Sequence, residues 1–427
     1  MFVGKDSIVS RIAWISAGIV STVSIIEGFC NAALESKDFQ WSGTRLILHH
    51  IDPWGVALRG NADGSILLSQ YPSYVHFLYL LLAPLGAMSF PVARLAWAFL
   101  NLFLAGLTLW LVKRLFQLSR MEWGILCAAF LCGTPFRNSL GNGQTSLLVL
   151  AFVALAYGAR TDWSKSIWFG LSYCKYSFAP PYFFDLMVSG SPLLLLLSLV
   201  PTAIGVVWVH WMVGGSWMHL IAEPLLIVGV SEPGDADLMS LADRLFAGRH
   251  AGGSLFFIIK CAVPLLLALA LAWYIRNRLK LRGEALAQTA AAVYGVAALL
   301  LFRHIGYDQV FLVFALAFAL KHHRQKLARP IVVCIAWFWF LLRFEFLMPA
   351  FASFYMVLFN AALLALICYW LLKISQHGAG LNQVPAMTEQ NTGVVHAPPA
   401  VEVRGTVIRA VQEGYGPTCR RPRLSCI

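Results

Sequence analysis

The chain has 427 residues, of which 59% are hydrophobic and only 12% charged. A soluble domain carries about 25% charged residues, so a water-soluble protein is excluded. The net charge of +12 does not signal nucleic acid, because Lys and Arg cluster in the gaps between apolar runs, at KR 113–114, RNRLKLR 276–282 and KHHRQKLAR 321–329, the pattern that orients membrane spans.

In chain order, windows of about 19 residues mark apolar runs at 8–29, 72–90, 92–112, 121–140, 144–159, 167–188, 192–213, 254–275, 286–302, 307–320, 330–348 and 351–372. The first run carries no small-residue cleavage site and reads as a retained helix. Twelve spans leave both termini on one side, which the basic clusters and Lys373 make cytoplasmic. The stretches 30–71 and 214–253 and the turn 303–306 then face outward. The same alternation puts Lys113, Arg114, Arg120, Arg160 and Lys165 outside, against the positive-inside rule. Either a segment between 72 and 188 is half-length or re-entrant, or these residues meet lipid phosphates on the outer face. The expected fold is all-α, a polytopic transmembrane helical bundle of about twelve spans over 1–373, followed by a disordered cytoplasmic tail, 374–427. Nine cysteines show no CxxC pair and no metal spacing, so neither a disulfide framework nor a metal is expected. There is no P-loop, no GxGxxG and no internal repeat.

Three groups of residues are candidates for chemistry. The stretch from Asn31 to Tyr71 holds Asp38, Asp52, Asp63, His49, His50 and several aromatics. Its Leu46, Ile47, Leu48 and Ile51 suit a helix lying at the interface, and Trp41 and Trp54 suit headgroup depth. A carboxylate just after a rigid span could take a proton from an acceptor at the membrane surface, or Asp38 could simply cap a helix. Next, Glu27, Lys175, Asp185, Asp308, Arg343 and Glu345 lie in apolar segments, where ionisable groups are costly unless paired or hydrated. Arg343 and Glu345 read as a structural pair, while the group from Arg303 and His304 to Tyr307 and Asp308 reads equally as function or as structure. Finally, Gly141-Asn142-Gly143-Gln144 breaks a helix before Thr145 and Ser146. Such a break is tolerated only where it is buried in protein or lines a cavity. Gln144 could hydrogen-bond a sugar or a phosphate there, or the stretch is a tight turn.

The order of these features resembles glycosyltransferase family 87, the polyprenyl-phosphate-sugar-dependent GT-C enzymes. The resemblance rests on Asp38-Phe39-Gln40 after the first span, Asp52-Pro53-Trp54, Tyr71-Pro72, Gly143-Gln144, Gly170 with Lys175, and Tyr307-Asp308, and it extends over roughly 8–373. The chain departs from the family's Tyr-Pro-Pro at Tyr71-Pro72-Ser73 and from its Lys-Pro at Lys175-Tyr176. The resemblance implies transfer of one sugar, mannose by preference, from a polyprenyl-phosphate donor to a glycolipid or glycan acceptor on the extracytoplasmic face of the inner (plasma) membrane. It puts the role of base on Asp38. The departing phosphate needs cations or donors, for which Arg303, His304, Lys175 and Arg45 are candidates. His49, His50, Asp52, Tyr71, Gln144, Tyr307 and Asp308 are candidates for acceptor or sugar contacts. The 214–253 stretch, with Trp217, His219, Glu223, Asp235, Asp237 and Arg244, is expected to help select the acceptor. No cofactor is expected beyond the lipid-linked donor, and the partners are the bilayer, donor and acceptor, with no nucleic acid. The competing classes are a surface-polysaccharide ligase or polymerase, a secondary transporter, whose repeat symmetry is not seen, and a scaffold.

Overall fold

The computed structural model describes residues 8–36, 39–62, 64–67, 70–230, 237–246, 254–279, 281–347 and 349–376, and these hold helices and no strand. α1 (Ile8–Leu34) is followed by three short helices, α2 (Trp41–Leu48), α3 (Pro53–Leu58) and α4 (His76–Gly86), and then by the long α5 (Phe90–Leu115). α6 (Arg120–Cys132) and α7 (Thr134–Gly141) are separated at Gly133, and α8 (Ser146–Gly158) turns back after Gln144. α9 (Asp162–Ser172) and α10 (Ala179–Val188) flank a 3-10 turn at Tyr176–Phe178, and α10 restarts with prolines in its first turn, where a missing N–H costs nothing. α11 (Pro192–Val213), α12 (Trp217–Val230) and α13 (Leu238–Phe246) follow, then α14 (Ser254–Trp273), which ends in a π turn, Tyr274–Arg278. α15 (Gly283–Leu301), a 3-10 segment Gly306–Phe311, α16 (Leu312–Lys321), α17 (Ala328–Leu341) and α18 (Pro349–Gln376) complete the bundle.

The helical class agrees with the sequence, and the apolar runs differ in the length of helix they form. Among the described residues six helices are long and apolar enough to cross a membrane alone, namely α1, α5, α11, α14, α15 and α18. The pair α7–α8, bent by 115°, raises this to seven if counted as one span. The 72–90 run is an 11-residue helix, α4, and the 167–188 run is two legs meeting at a turn. The polar stretch expected at 214–253 contains α12 and α13.

Contacts sort the ends of these helices into two groups. At one end Gln117 donates to Glu284 at 2.5 Å, Lys321 reaches the Gln117 carbonyl at 3.5 Å, and His323 lies 3.0 Å from Glu122. Arg114, Arg160, Lys165 and Gly283 border a common cavity at that end. Lys113, Arg114, Arg120, Arg160 and Lys165 therefore join the clusters at 276–282 and 321–329. The conflict with the positive-inside rule disappears because α4, with 11 residues, is too short to cross, which reverses α5 to α8, and the doubled-back α9 and α10 restore the order before α11. At the other end Ser36 donates to the Asn142 carbonyl at 2.8 Å, Trp97 to Gly143 at 2.7 Å, and the Val75 amide to Cys174 at 3.1 Å.

α15 and α16 are buried nearly all round, as expected of central helices with no polar face. Close crossings rely on missing side chains: a methyl on Gly170 of α9 would overlap the Ser198 carbonyl of α11, and one on Gly205 of α11 would overlap the Phe77 backbone of α4. Trp41 and Trp54, expected at headgroup depth, are packed inside the protein instead, Trp54 against His76 and Tyr79. α2 likewise buries Leu46 and Ile47 rather than resting them at an interface. Of the ionisable residues in apolar segments, Glu27 pairs with Arg137 at 3.1 Å. Asp185 receives two bonds from Arg276, at 2.7 and 2.9 Å, and one from Tyr294 at 3.0 Å. The expected Arg343–Glu345 pair involves a Glu345 side chain outside the described residues.

Candidate active site

The helix breaks meet at one place. Gly143 has φ +69°, and its Cα packs so closely on Ser36 that no side chain fits, so the turn between α7 and α8 depends on glycine. Ser139, just before that turn, donates to the Tyr307 carbonyl at 2.9 Å. Ser146, just after it, donates to Asp308 Oδ1. Lys175, at the turn between α9 and α10, places Nζ 2.5 Å from the same Oδ1 and 3.2 Å from Ser146 Oγ. Its ammonium also lies 5.3 Å from the Tyr307 ring and 5.5 Å from the Phe178 ring, within the reach of a cation–π contact. His304 Nδ1 is 3.0 Å from Asp308 Oδ2, and the imidazole packs 4.2 Å from the Phe178 ring. Asp308 is thus held by three chain segments far apart in sequence.

A second carboxylate fixes the strand of backbone carrying the histidine. Asp237 accepts from the His304 amide at 2.9 Å and from the Ser240 amide and hydroxyl at 2.8 and 2.7 Å. Burial raises the Asp237 carboxyl, and these bonds partly oppose that. Arg303 lies 3.5 Å from Asp243, which also receives Lys260 at 2.7 Å.

These groups border a cavity of about 110 Å³ lined by Ser73, Tyr74, Lys175, Tyr176, Ser177, Arg303, His304, Ile305, Tyr307 and Asp308. His304 Nε2 is buried and has no hydrogen-bond partner among the described residues. The cavity therefore offers two cationic side chains and hydroxyls suited to an anionic oxygen, beside an imidazole nitrogen that can donate to one only as the imidazolium, since Nδ1 is bound to Asp308. Tyr176 also borders a second cavity of about 530 Å³, whose other walls are Val75, His76, Leu199, Thr202, Ala203, Val206, Val207, Trp217, Ile221 and Pro224. A polar pocket and an apolar groove share one wall.

Arg303, His304, Lys175, Tyr307 and Asp308, candidates from the sequence, come together here. Asp38 lies outside the described residues, as do Asp63 and Asp235. The residues flanking Asp38 are placed: Ser36 bonds Asn142, and Phe39 stacks on Trp97 at 5.2 Å. Gln144 is buried in the glycine turn, its amide donating to Ser139 at 2.9 Å, and does not line the cavity. Arg45 instead stacks over Trp41 at 5.2 Å. His49 is exposed, and His50, at φ +61°, ties Nδ1 to the Met212 carbonyl at 2.6 Å. Tyr71 is 40% exposed, two residues before the lining Ser73.

Asp52 caps α3 through the Trp54 amide at 2.9 Å and faces Glu223 of α12. Burial and the Asp52 carboxylate push Glu223 up to about 7, and His219 Nε2 lies 2.9 Å from its Oε1. Asp52 therefore belongs to a separate cluster with part of the stretch expected to select the acceptor. The sequence reading did not assign Ser146, Tyr74, Tyr176, Ser177 or Asp243 to the site. Only Ser146 carried a signal, a hydroxyl opening an apolar run directly after the glycine break. Among the described residues no group of three or more His, Cys, Asp or Glu could hold a metal ion.

No curated protein matches the chain. The family model described as glycosyltransferase family 87 matches residues 73–303, more than half of the 427 residues. The match begins and ends on residues that line the polar cavity, Ser73 and Arg303. With its long apolar helices and a cationic pocket where they break, the chain belongs to glycosyltransferase family 87, a family of GT-C-like membrane glycosyltransferases.

Proposed function

We propose that this membrane glycosyltransferase moves one sugar, mannose by preference, from a polyprenyl-phosphate carrier to a glycolipid or glycan acceptor. The observation that carries this reading is the polar cavity joined to an apolar groove through Tyr176. A lipid-linked sugar phosphate has the same division, an anionic centre next to a long apolar chain. The basic end of the bundle is assigned to the cytoplasm by the positive-inside rule, which puts the cavity at the extracytoplasmic face of the plasma (inner) membrane.

In the reaction the acceptor hydroxyl oxygen forms a bond to the anomeric carbon as the bond from that carbon to the phosphate oxygen breaks. The electron pair of the broken bond leaves with polyprenyl phosphate. Lys175 and Arg303 supply positive charge to the departing phosphate, and His304 in its imidazolium form donates a further hydrogen bond from Nε2. Asp308 serves as a positioning residue, since its oxygens are already engaged by Lys175, Ser146 and His304. That leaves the proton to a different carboxylate, and Asp38 is our choice because its flanking residues pack on the Gly143 turn, one segment away from the Asp308 cluster. Attack opposite the leaving group inverts the anomeric centre. The bilayer, the donor and the acceptor are the partners, and no cofactor is used.

The test supplies purified protein with polyprenyl-phosphate mannose labelled in the sugar, together with a membrane lipid extract. Label should enter a new product with the wild type and not with Asp38→Asn at equal protein level. Equal transfer by both proteins removes Asp38 from the mechanism. Transfer only from another lipid-linked sugar removes mannose.

A further inference from the structure

At the basic end, opposite the candidate active site, a cavity of about 570 Å³ lies between α5, the turn joining α8 to α9, and the start of α15. Three cations border it, Arg114, Arg160 and Lys165, against two carboxylates, Asp162 and Glu284. The carboxylates are partly spent. Glu284 accepts from Gln117 at 2.5 Å, and Asp162 occupies the first turn of α9, where it complements the helix dipole. The cations are less so. Lys165 forms an ion pair with Asp185 at 3.7 Å, but Arg276 and Tyr294 hold that carboxylate more closely, which leaves part of the lysine's charge for a ligand. Arg160 forms no ion pair among the described residues and is exposed. Leu111, Leu115, Ala156 and Ala287 form apolar walls, and nearby Trp110 and Trp163 are exposed, as tryptophans at a membrane interface are.

Cations recessed between spanning helices, beside apolar walls and at interfacial depth, match the phosphate of a lipid headgroup in shape and charge. Soluble proteins place such groups against carboxylates; here they outnumber them. We propose that this cavity binds the phosphate group of an anionic membrane lipid, with Arg160 and Lys165 as the principal ligands. Guanidinium and phosphate can share two hydrogen bonds, which favours Arg160 over the more distant lysines of the same end.

The experiment follows thermal unfolding of the full chain in detergent at fixed ionic strength while short-chain phosphatidylglycerol is added. Parallel arms use phosphatidylcholine and inorganic phosphate. Phosphatidylglycerol should raise the midpoint saturably, and Arg160→Gln should weaken half-saturation about fivefold, the effect of one charge near a membrane surface. Lys165→Met should weaken it similarly, but Arg160 is the safer variant because it is exposed and holds no buried partner. Lys326→Gln, at the same end but away from the cavity, should titrate like the wild type. A saturable response to inorganic phosphate that Arg160→Gln also weakens supports the same chemistry with a soluble source. Identical titrations for wild type and Arg160→Gln, or an equal response to phosphatidylcholine, overturn the proposal.

Discussion

Replacing Lys175 by Met separates the structural role of the Lys175–Asp308 pair from its chemical one. At 2.5 Å and an effective dielectric of about 20, the Coulomb attraction is roughly 6–7 kcal/mol. Desolvation of both groups takes back a large part of that, and removing one partner of a buried pair typically costs about 3–5 kcal/mol because the other charge is stranded. His304 and Ser146 remain on Asp308, so the expected cost is about 3 kcal/mol, at the lower end of that range. In detergent this should lower the thermal midpoint by roughly 5–10 °C, and sugar transfer should be lost. Adding Asp308→Asn removes the stranded charge, and a neutral buried pair is often no less stable than the ionic one. The double variant should therefore recover most of the midpoint while remaining inactive. If it regains transfer along with stability, the pair is only structural and Lys175 does not serve the leaving phosphate. If the single variant melts like the wild type, the pair does not hold the site together.

Glu223 should make the protein less stable as pH rises. Its folded pKa of about 7 exceeds the usual 4.5, so the folded state binds more protons between these values and stability falls across that window. The loss is at most about 3 kcal/mol, and thermal midpoints of Glu223→Gln measured from pH 5 to 8 (about the interval that matters) should be flatter than those of the wild type. Two glycines should behave oppositely. Gly170→Ala drives a methyl into the Ser198 carbonyl and should cost at least about 1–3 kcal/mol, seen as a lower midpoint and yield. Gly106→Ala, where nothing lies within 4 Å, should gain about 1 kcal/mol of helix propensity; equal effects at both positions would show that the α9–α11 crossing is not tight.

Much of the bundle could be read from the chain because apolar runs announce helices wherever they pack. The sequence also marked Lys175, His304 and Asp308, since ionisable groups in apolar surroundings need partners. It did not show that the partners were each other, because side chains separated by 133 residues meet only through the tertiary arrangement. Nor did hydropathy reveal that 167–188 doubles back. A window average passes over Lys175 and the Pro180-Pro181 step, although both belong to a break rather than a helix interior. Trp41 and Trp54 misled for a related reason: an aromatic suits headgroup depth and a protein core equally, and only packing decides. His49, His50 and Asp52 were chemically plausible, but α2 and α3 turn His50 and Asp52 toward α11 and α12 instead of the cavity, and His49 is exposed.

The Asp185–Arg276 pair also has a consequence for how the chain is made. The doubled-back legs α9 and α10 have 11 and 10 residues, each about half of what spans a bilayer unaided. They carry a carboxylate whose guanidinium partner is 91 residues further on. At about 5–20 residues per second of synthesis, that partner emerges roughly 5–18 s later. During this interval the carboxylate has only Lys165 of the same hairpin, 3.7 Å away, against its charge in lipid, so the hairpin waits at the translocon or the surface until α14 arrives. Chains arrested before residue 276 should leave the hairpin open to a protease that the finished bundle excludes; protection in the arrested chain would mean that it inserts by itself. Membrane integration of this enzyme is then timed by a single ion pair, and the order of synthesis becomes part of the fold.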